Sequence, residues 1–362
     1  MKKIILFIDN LGSGGAQRQI VNLAIILKKR GYDISVLVYA DQPFYKRLLD
    51  EHGIAVHLIS ARDYLKRIIK VRKYLRSSAQ DVVIAFLETP GFLASVSKIG
   101  NTKWKLITSE RSARESSFYS KRNRVYNLFE RFSDAKVCNS VNALRLWKRH
   151  YPQYADKYCV IYNPVIIPQD YLVSSNKQDN KRCLVVAASY QELKNPLGLI
   201  EALRSLDIAV RSKLEIHWYG RTEVAIGNTR IYEEACKRIN DYQLKDCISL
   251  HSETNEIYKI MSESTAVGLF SKVEGLPNTI CEAMMLGKPV IMSRVSDYDV
   301  LVDGNGFLCD PNSYESISAA LCDFVKASDQ QLKDMGEKSK ELAEKYFLPD
   351  KVAQQWIDLI EN

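Results

Sequence analysis

One segment of the sequence indicates most of the architecture: Ser271-Lys-Val-Glu274-Gly-Leu-Pro277-Asn-Thr-Ile-Cys-Glu282-Ala-Met-Met-Leu-Gly287-Lys-Pro289. The apolar run before it ends near Phe270 and is typical of a buried strand. Pro277 suits the first turn of a helix, and Gly287, with a proline two residues later, ends that helix. The segment therefore predicts a strand, a loop that carries Glu274 and a helix that carries Glu282 about one turn from its start.

Strand-like runs alternate with helical periodicity on both sides of this segment. In the first half they cover residues 3–9, 34–39, 55–59, 82–86, 106–109 and 136–139. In the second half they cover residues 183–187, 214–219, 248–251, 267–269, 290–292 and 306–308. This alternation predicts parallel sheets with helices on both faces. The expected fold class is α/β, with two doubly wound, Rossmann-like domains.

The chain of 362 residues has the length of two domains. We expect the first domain over residues 1–168, a polar linker over 169–182 and the second domain over 183–349. A last helix, residues 350–362, either packs on the second domain or crosses back to the first. Ligands of such sheets bind at the carboxyl ends of the strands, where loops meet helix N-termini.

The loop and helix start in the opening segment suit an anionic ligand. Backbone N–H groups at a helix start lack intrahelical partners, so they can bind a diphosphate. Ionised carboxylates only accept hydrogen bonds, so Glu274 and Glu282 suit the hydroxyls of a sugar and a ribose. The alternative is that Glu282 is only a charge on an exposed helix face. The other predicted ligand-binding residues of the segment are Gly275, Leu276, Pro277, Asn278 and Thr279.

Four motifs in the same order resemble a known family. Glu274-x7-Glu282 resembles the motif of retaining glycosyltransferases with the GT-B fold, of the family 4-like type that builds bacterial surface glycans. The other three segments that resemble the family are Gly12-Ser-Gly14-Gly15-Ala-Gln-Arg18, Tyr162-Asn163-Pro164-Val165 and Lys194-Asn195-Pro196. The resemblance spans nearly the whole chain and implies two Rossmann-like domains that face a cleft.

The resemblance implies that a sugar is transferred from a nucleoside diphosphate-sugar with its anomeric configuration retained. It also implies that Glu274 binds the donor sugar, Glu282 binds the ribose and Lys194 neutralises the diphosphate. Gly14 and Gly15 would let the backbone approach the donor phosphate closely. UDP is the expected nucleotide because most relatives use UDP-sugars, and neither a cofactor nor a metal is expected.

Two departures from the family pattern affect the predicted site. Where the family commonly has Gly-Arg before the lysine, this chain has an alanine and Ser189, so one phosphate ligand is missing. Arg221, after Gly220 at another strand end, either replaces that arginine or is a solvated surface residue. In the first domain, Thr108-Ser-Glu110-Arg111-Ser112 stands where many relatives carry a histidine. Its Ser-Glu-Arg form resembles a subset that builds glycans on lipid carriers.

Glu110 either orients or deprotonates the acceptor hydroxyl, or it pairs with Arg111. The expected acceptor is a glycan or a polyprenyl-diphosphate-linked glycan. The predicted acceptor or membrane contacts are Arg18, Arg111, Lys66, Arg67, Lys70 and Lys73.

The net charge of +8 is distributed unevenly along the chain. Residues 1–168 hold 29 Lys and Arg against 13 Asp and Glu, whereas acidic residues are in excess in the remainder. Residues 62–76 predict a basic helix with Leu65, Ile68, Ile69 and Leu75 on its packing side. This helix is either an ordinary layer helix with a solvated face or a contact with an anionic membrane surface. No nucleic-acid partner is expected, because no recognised reader motif is present.

Composition excludes several other classes of protein. Apolar residues make up 46 % and charged residues 26 %, as in globular proteins, and no apolar run is long enough to span a bilayer. The 8 cysteines form no Cys-x-x-Cys pair, so reduced thiols and a cytoplasmic location, at most peripheral on the inner face of the plasma membrane, are expected. The Gly12 loop lacks the Gly-x-Gly-x-x-Gly spacing of a dehydrogenase. A GT-B-like sugar-nucleotide epimerase and a degenerate glycan-binding scaffold are the remaining alternatives.

Overall fold

A computed structural model of the protein describes residues 1–100, 103–111, 115–171, 181–223 and 227–362. The chain divides into a first unit, Met1–Pro164 with Pro349–Asn362, and a second unit, Val165–Leu348. Residues 172–180 of the predicted linker, and Ser112, lie outside the described residues.

The first unit is built on a seven-stranded parallel sheet of order β3-β2-β1-β4-β5-β6-β7. Its strands are β1 (Lys3–Phe7), β2 (Asp33–Val38), β3 (Ala55–Leu58), β4 (Val82–Phe86), β5 (Lys105–Glu110), β6 (Ala135–Cys138) and β7 (Tyr158–Val160). Its helices before residue 165 are α1 (Gly15–Lys29), α2 (Lys46–Glu51), α3 (Tyr64–Ser77), α4 (Glu88–Lys98), α5 (Glu115–Tyr119), α6 (Lys121–Leu128) and α7 (Val141–His150).

Both faces of this first sheet are buried, because alternate residues of β1 enter two different cores. Ile4 and Leu6 pack with α1, whereas Ile5 and Phe7 pack with α3 and α4. A strand buried on both faces is continuously apolar, which is why the sequence pattern identified β1 and β4 directly.

The second unit contains a six-stranded parallel sheet of order β10-β9-β8-β11-β12-β13. Its strands are β8 (Arg182–Ala187), β9 (Leu214–Tyr219), β10 (Ile248–His251), β11 (Ala266–Leu269), β12 (Val290–Ser293) and β13 (Gly306–Cys309). Its helices are α8 (Pro196–Ser205), α9 (Ile208–Arg211), α10 (Arg230–Asp241), α11 (Ile257–Glu263), α12 (Asn278–Met285), α13 (Tyr298–Leu301), α14 (Tyr314–Lys326) and α15 (Asp329–Tyr346).

The final helix, α16 (Pro349–Glu361), belongs to the first unit. Its Val352, Trp356 and Ile360 are buried in the core beneath α1, and the Trp356 ring stacks 6.2 Å from the ring of Phe86. Of the two alternatives for this helix, the structure places it on the first unit.

The predicted α/β fold with two parallel sheets is confirmed, and every predicted strand occurs within two residues of its expected bounds. The sequence did not predict β7, which has only three residues. None of the helices in the described ranges has the length and apolar character needed to cross a membrane.

The predicted packing face of α3 is wrong in part. Val71 and Leu75 are buried, but the side chains of Leu65 and Ile69 are 72 % and 65 % exposed. The reason is that the C-terminal part of α3 is the part fixed to its neighbour: Arg72 donates to the carbonyl of Ile99 (3.2 Å) after α4. The first turns of α3 therefore present both apolar and basic side chains to solvent.

Candidate functional site

A lysine and a glutamate meet at the carboxyl end of the second sheet. Lys194 ends a short 3₁₀ helix (Glu192–Lys194) after β8, and Glu274 lies in the loop after β11. Because β8 and β11 are neighbours, these loops meet, and Lys194 Nζ lies 2.5 Å from Glu274 Oε1. The two side chains are only 22 % and 11 % exposed. The structure thus brings together two predicted donor-binding residues that are 80 positions apart in the sequence.

The loop between Glu274 and α12 is fixed at both ends. The amide of Lys272 donates to the carbonyl of Leu193 (2.8 Å), which joins the two strand-end loops. The Thr279 hydroxyl donates to the carbonyl of Ala187 (3.1 Å) at the end of β8, and the Ser296 hydroxyl donates to that of Gly275. These hydrogen bonds to neighbouring loops and to the end of β8 fix the conformation of the Gly275–Leu276–Pro277 turn.

The N-terminus of α12, which the sequence predicted to bind an anion, has two features that suit one. Pro277 precedes the helix and no side chain caps it within the described structure. The first helical bond runs from the amide of Ile280 to the carbonyl of Pro277 (3.0 Å), so the amides of Asn278 and Thr279 lie ahead of the helical ladder. Together with the helix dipole, they make this end electropositive.

Glu282 lies one turn inside α12 and is only 7 % exposed. The alternative that it is a charge on an exposed helix face is therefore wrong. Burial raises the pKa of the neighbouring Cys281 thiol, and the charges of Glu282 and Asp297 raise it further. A buried carboxylate needs polar partners, which agrees with a role in binding hydroxyl groups.

The loops after β8 and β9 are held against each other by Gly220 and Tyr190. A Cβ atom on Gly220 would lie 2.0 Å from the carbonyl oxygen of Ala188, so only glycine fits there. The buried Tyr190 hydroxyl lies 2.9 Å from the carbonyls of Trp218 and His251 and accepts the His251 amide (3.0 Å). These contacts fix the backbone on either side of Ser189.

Arg221 lies beside the position where the family arginine is missing. The amide of Tyr190 donates to the carbonyl of Arg221 (3.0 Å), while the Arg221 side chain is exposed. The Ser189 hydroxyl is half-buried and accepts from the amide group of Gln191 (2.9 Å).

A groove of about 540 Å³ adjoins this region within the second unit. It is lined by residues 191–193, by Lys272 and Val273, and by residues 228, 230 and 231 near the start of α10. The groove provides space for a ligand next to Lys194, and sequence reasoning did not identify it because α10 starts far away in the chain.

An Asp-x-Asp triplet, Asp297-Tyr-Asp299, is present in the chain, and such triplets can hold Mg²⁺ beside a diphosphate. Here Asp297 is buried and Asp299 is exposed. Within the described ranges, no group of three or more metal-binding side chains occurs.

In the first unit, the predicted glycine loop leads into α1. Gly14 precedes the helix with φ −80° and ψ 160°, Gly15 is its first residue, and the first turn holds no acidic residue. The loop is held by Gln17, which donates to Asp9 Oδ1 (3.0 Å). Arg18 lies in the first turn, and its amide donates to the carbonyl of Gly14 (3.0 Å).

A pocket of about 190 Å³ lies at the carboxyl end of the first sheet. Three acidic residues line it: Asp9 after β1, Glu88 at the start of α4 and Glu110 at the end of β5. Glu110 is buried. The pKa of Glu88 is raised by the burial of Glu88 itself and by the charge of Glu110. Burial, with the charge of Asp9, also raises the pKa of Tyr39 in this pocket to about 12.

Sequence reasoning identified Glu110 but missed Asp9, Tyr39 and Glu88. A signal was available, because Asp9 and Tyr39 end predicted strands and Glu88 lies two residues after one. The carboxyl ends of parallel strands meet at one edge, so polar residues at these positions are site candidates.

Arg111 is half-buried and its side chain contacts other residues of the first unit. Its guanidinium lies 3.9 Å from the centre of the Phe86 ring and donates to Asn163 Oδ1 (2.7 Å). Burial lowers the pKa of Arg111 to about 9, although the neighbouring Glu110 opposes this shift. Its predicted contact with the acceptor or a membrane stays a prediction. Its amide donates to Glu110 Oε1 (2.9 Å), which is the contact that joins the two residues.

The basic residues of α3 fall into two groups. Lys66, Lys70 and Lys73 are exposed, as expected for a surface that contacts a large partner. Arg67 is partly buried, and its guanidinium lies 4.3 Å from the centre of the Tyr39 ring, next to the acidic pocket.

Comparison with known proteins gives two family matches that together cover most of the chain. Residues 13–167 match Glycosyltransferase Family 4, and residues 169–342 match Glycosyl transferases group 1. The division between the matches falls close to the boundary of the two units.

Proteins of similar sequence and structure span the chain from end to end. An uncharacterized glycosyltransferase of Haemophilus influenzae is 26 % identical over 98 % of this chain and 99 % of its own length. A Campylobacter jejuni enzyme, GalNAc-α-(1→4)-GalNAc-α-(1→3)-diNAcBac-PP-undecaprenol α-1,4-N-acetyl-D-galactosaminyltransferase, is 24 % identical over 99 % of this chain and 98 % of its own. HepE of Anabaena, solved with UDP and glucose, has a TM-score of 0.83 at 19 % identity and covers 100 % of both chains. The structural likeness shows a GT-B fold.

We expect Tyr190→Phe to destabilise the second unit by about 1–3 kcal/mol, because it leaves buried backbone groups without the hydroxyl partner. Urea unfolding monitored by Trp218 fluorescence measures the change. Tyr314→Phe, at an exposed position on α14, is the matched control and should change stability little. Equal stability of Tyr190→Phe and the parent protein would contradict the role given to this hydroxyl.

Proposed function

We propose that this chain, a GT-B glycosyltransferase with a Family 4 domain followed by a group 1 domain, transfers a hexosyl or N-acetylhexosaminyl group from a UDP-sugar to a lipid-linked glycan. The anomeric configuration is retained and no metal takes part. The observation that carries the proposal is the contact between Lys194 and Glu274 ahead of the uncapped helix α12.

The lysine and the helix N-terminus match the charge of a departing nucleoside diphosphate. Negative charge grows on the leaving oxygen as the glycosidic bond to phosphate breaks, and a preorganised cation and amide groups stabilise it. Lys194 is held in place by Glu274 before the donor arrives. The diphosphate then takes over the ammonium group, which frees the Glu274 carboxylate for the sugar hydroxyls.

Glu282 and Arg221 complete the proposed donor site. The buried Glu282 carboxylate accepts hydrogen bonds from the ribose hydroxyls. Arg221 takes the place of the arginine that Ser189 lacks, because its backbone is bonded to the residue that follows Ser189. Gly14, Gly15 and Arg18 at the start of α1 offer the first unit's amides and a cation to the donor or acceptor.

UDP is the proposed nucleotide. The solved structure of HepE contains UDP and glucose, and the Campylobacter relative is named as an N-acetylgalactosaminyltransferase that acts on an undecaprenol-linked glycan. These names support a UDP-sugar donor and a lipid-linked acceptor for this chain.

The acidic pocket of the first unit suits the acceptor. A glycan presents hydroxyl groups, which donate hydrogen bonds to carboxylates. Glu110, which lines the pocket, accepts from the reacting hydroxyl and orients it. Asp9 and Glu88 bind further hydroxyls of the same sugar.

A lipid-linked acceptor lies in a membrane, and we propose that the surface of α3 binds an anionic membrane there. Leu65 and Ile69 are exposed there beside Lys66, Lys70 and Lys73. On α6, Val125 and Leu128 are likewise exposed, among the basic residues Lys121, Arg122 and Arg124. The Tyr64 and Tyr126 hydroxyls, 2.6 Å apart, join α3 to α6. Apolar side chains within a basic surface are the pattern of peripheral membrane binding, consistent with a cytoplasmic enzyme at the inner face of the plasma membrane.

We expect Glu274→Gln to keep the affinity for UDP within about threefold, because the nucleotide contacts remain. The rate at which the enzyme forms UDP from the UDP-sugar should fall about a hundredfold.

A thermal-unfolding screen identifies the donor among UDP-glucose, UDP-galactose, UDP-N-acetylglucosamine, UDP-N-acetylgalactosamine, GDP-mannose and ADP-glucose. A donor at 100 times its Kd stabilises the protein by about 2.7 kcal/mol.

Glu263→Gln, at an exposed position on α11, is the matched control and should release UDP at the parent rate. Unchanged UDP release by Glu274→Gln would remove the donor site assigned here. Stabilisation by a UDP-sugar without transfer to any lipid-linked glycan would instead favour a binding scaffold, and formation of an isomer from the donor alone would favour an epimerase.

Reversing the charges of Lys66, Lys70 and Lys73 to glutamate should weaken binding to anionic vesicles by about a hundredfold, since each basic residue near the surface contributes about 1 kcal/mol. Co-sedimentation with phosphatidylglycerol–phosphatidylcholine vesicles measures the binding. The matched control reverses three exposed lysines of α15: Lys333, Lys340 and Lys345. The membrane proposal is wrong if the parent protein binds pure phosphatidylcholine and mixed vesicles equally.

A further inference from the structure

A lysine lies inside the first unit, in the middle of β6. The side chain of Lys136 is 6 % exposed, and its Nζ lies 3.0 Å from Oε2 of Glu130, which is equally buried. Two buried charges lose their hydration, and such a pair is often no more stabilising than apolar residues of the same volume. Stability therefore does not explain why the protein has this pair, and we looked for a function for it.

Glu130 and Lys136 are rigidly held. Glu130 Oε1 accepts from the Thr108 hydroxyl (2.5 Å) and from the Ser133 hydroxyl (2.7 Å). The Lys136 ammonium also lies 3.9 Å from the centre of the Trp147 ring, which adds a cation–π contact. The Glu130 carboxylate and the Trp147 ring thus fix the position of the Lys136 ammonium group.

The register of the sheet directs this charge toward the acidic pocket. Thr108 of β5 is the partner of Lys136, and Glu110 is the partner of Cys138. Lys136 and Glu110 therefore share one face of neighbouring strands as diagonal neighbours, a separation that long side chains bridge.

The electrostatic effects agree with this placement. Burial alone would lower the pKa of Lys136, but the charges of Glu130 and Glu110 outweigh it and raise the pKa. The pKa of Glu88 is raised by burial and by Glu110, and Lys136 is among the groups that oppose this rise.

Other charged groups surround the pocket. Asp9 follows β1, Tyr39 follows β2 and Glu88 starts α4, while Cys138 on β6 has a pKa raised to about 12 by burial. The cations near the rim are Arg67, over the Tyr39 ring, and Arg122, which lies 3.5 Å from Glu88 and is 64 % exposed. Arg111 is turned toward Asn163. Because Lys136 is itself buried, solvent screens its charge little.

We propose that Lys136 is a positioning residue for the acceptor: its buried ammonium group, fixed by Glu130, attracts the Glu110 carboxylate on the same face of the sheet and holds it where it accepts hydrogen bonds from the acceptor hydroxyls. This inference rests on the acceptor role proposed for Glu110. The alternative is that Lys136 only neutralises Glu130 and does not influence the pocket.

The double variant Lys136→Met/Glu130→Gln separates the two alternatives. It removes both buried charges and keeps similar volumes, so neither charge is left unpaired. If Lys136 only neutralises Glu130, the double variant behaves like the parent. If Lys136 supports the pocket, the double variant loses that support.

Two readouts test the proposal, and neither responds to folding alone. The first is the titration of the Glu88 carboxyl by ¹³C NMR, assigned with Glu88→Gln. The second is the pH profile of kcat/KM for transfer from the UDP-sugar found in the screen to an undecaprenyl-diphosphate-linked glycan. In the double variant we expect the Glu88 titration and the acid limb of the profile to move to higher pH, because a positive charge that opposes the rise in the Glu88 pKa is lost.

Lys136→Arg keeps the positive charge and should keep both parent values. Lys46→Met, which removes a lysine of α2 that pairs with Asp50 at the surface, is the control and should change neither. A folded double variant with parent values in both readouts overturns the proposal. If Glu110→Gln transfers at the parent rate, the acceptor role of Glu110 is wrong; if that variant is inactive while the double variant keeps the parent profile, only the inference about Lys136 is wrong.

Discussion

The contact between Lys194 and Glu274 depends on the pairing of β8 with β11, and the assigned donor site depends on that contact. Neither residue belongs to a regular strand or a long helix, so each is positioned by the strand that precedes it. Because the strands are parallel neighbours, both loops leave the sheet at the same edge. The 2.5 Å contact then places a cation directly ahead of a helix N-terminus. Both groups attract anions, which is why we assign the diphosphate of the donor to this edge of the sheet.

The two units use opposite charges at equivalent positions of their sheets. The second unit offers an ammonium group and helix amides, which suit an anionic donor. The first unit offers three carboxylates, which suit the neutral, hydroxyl-rich sugar of an acceptor. Carboxylates crowded into a small pocket raise one another's pKa, as Glu88 shows, and a buried cation nearby counteracts that effect. Charge within each unit therefore follows the chemistry of the substrate proposed for it.

The sequence was sufficient for every strand except the short β7 and for the lysine and glutamate that the assigned donor site contains. Strands buried on both faces are continuously apolar, so β1, β4 and β8 were recognisable, and the loop and helix around Glu274 followed from proline and glycine positions. The face of α3 was predicted wrongly because periodicity identifies an apolar stripe without showing whether another element covers it. Leu65 and Ile69 have the right spacing, but nothing covers them.

The sequence also did not predict the contacts of buried polar residues. Lys136 sits in a strand between apolar residues, and no pattern indicates that it pairs with Glu130, whose other oxygen accepts from two hydroxyls. Likewise, Glu88 and Asp9 become a pocket only when the strand order 2-1-4-5 brings their loops together. Such sites arise from the order of strands in the sheet, which local sequence does not specify.

A crystal structure of the protein with UDP tests the central claim most directly. The account predicts that diphosphate oxygens lie within about 3.2 Å of Lys194 Nζ and of the amides of Asn278 and Thr279, with Glu274 released from the lysine. A diphosphate bound elsewhere, with the Lys194–Glu274 contact unbroken, would contradict it.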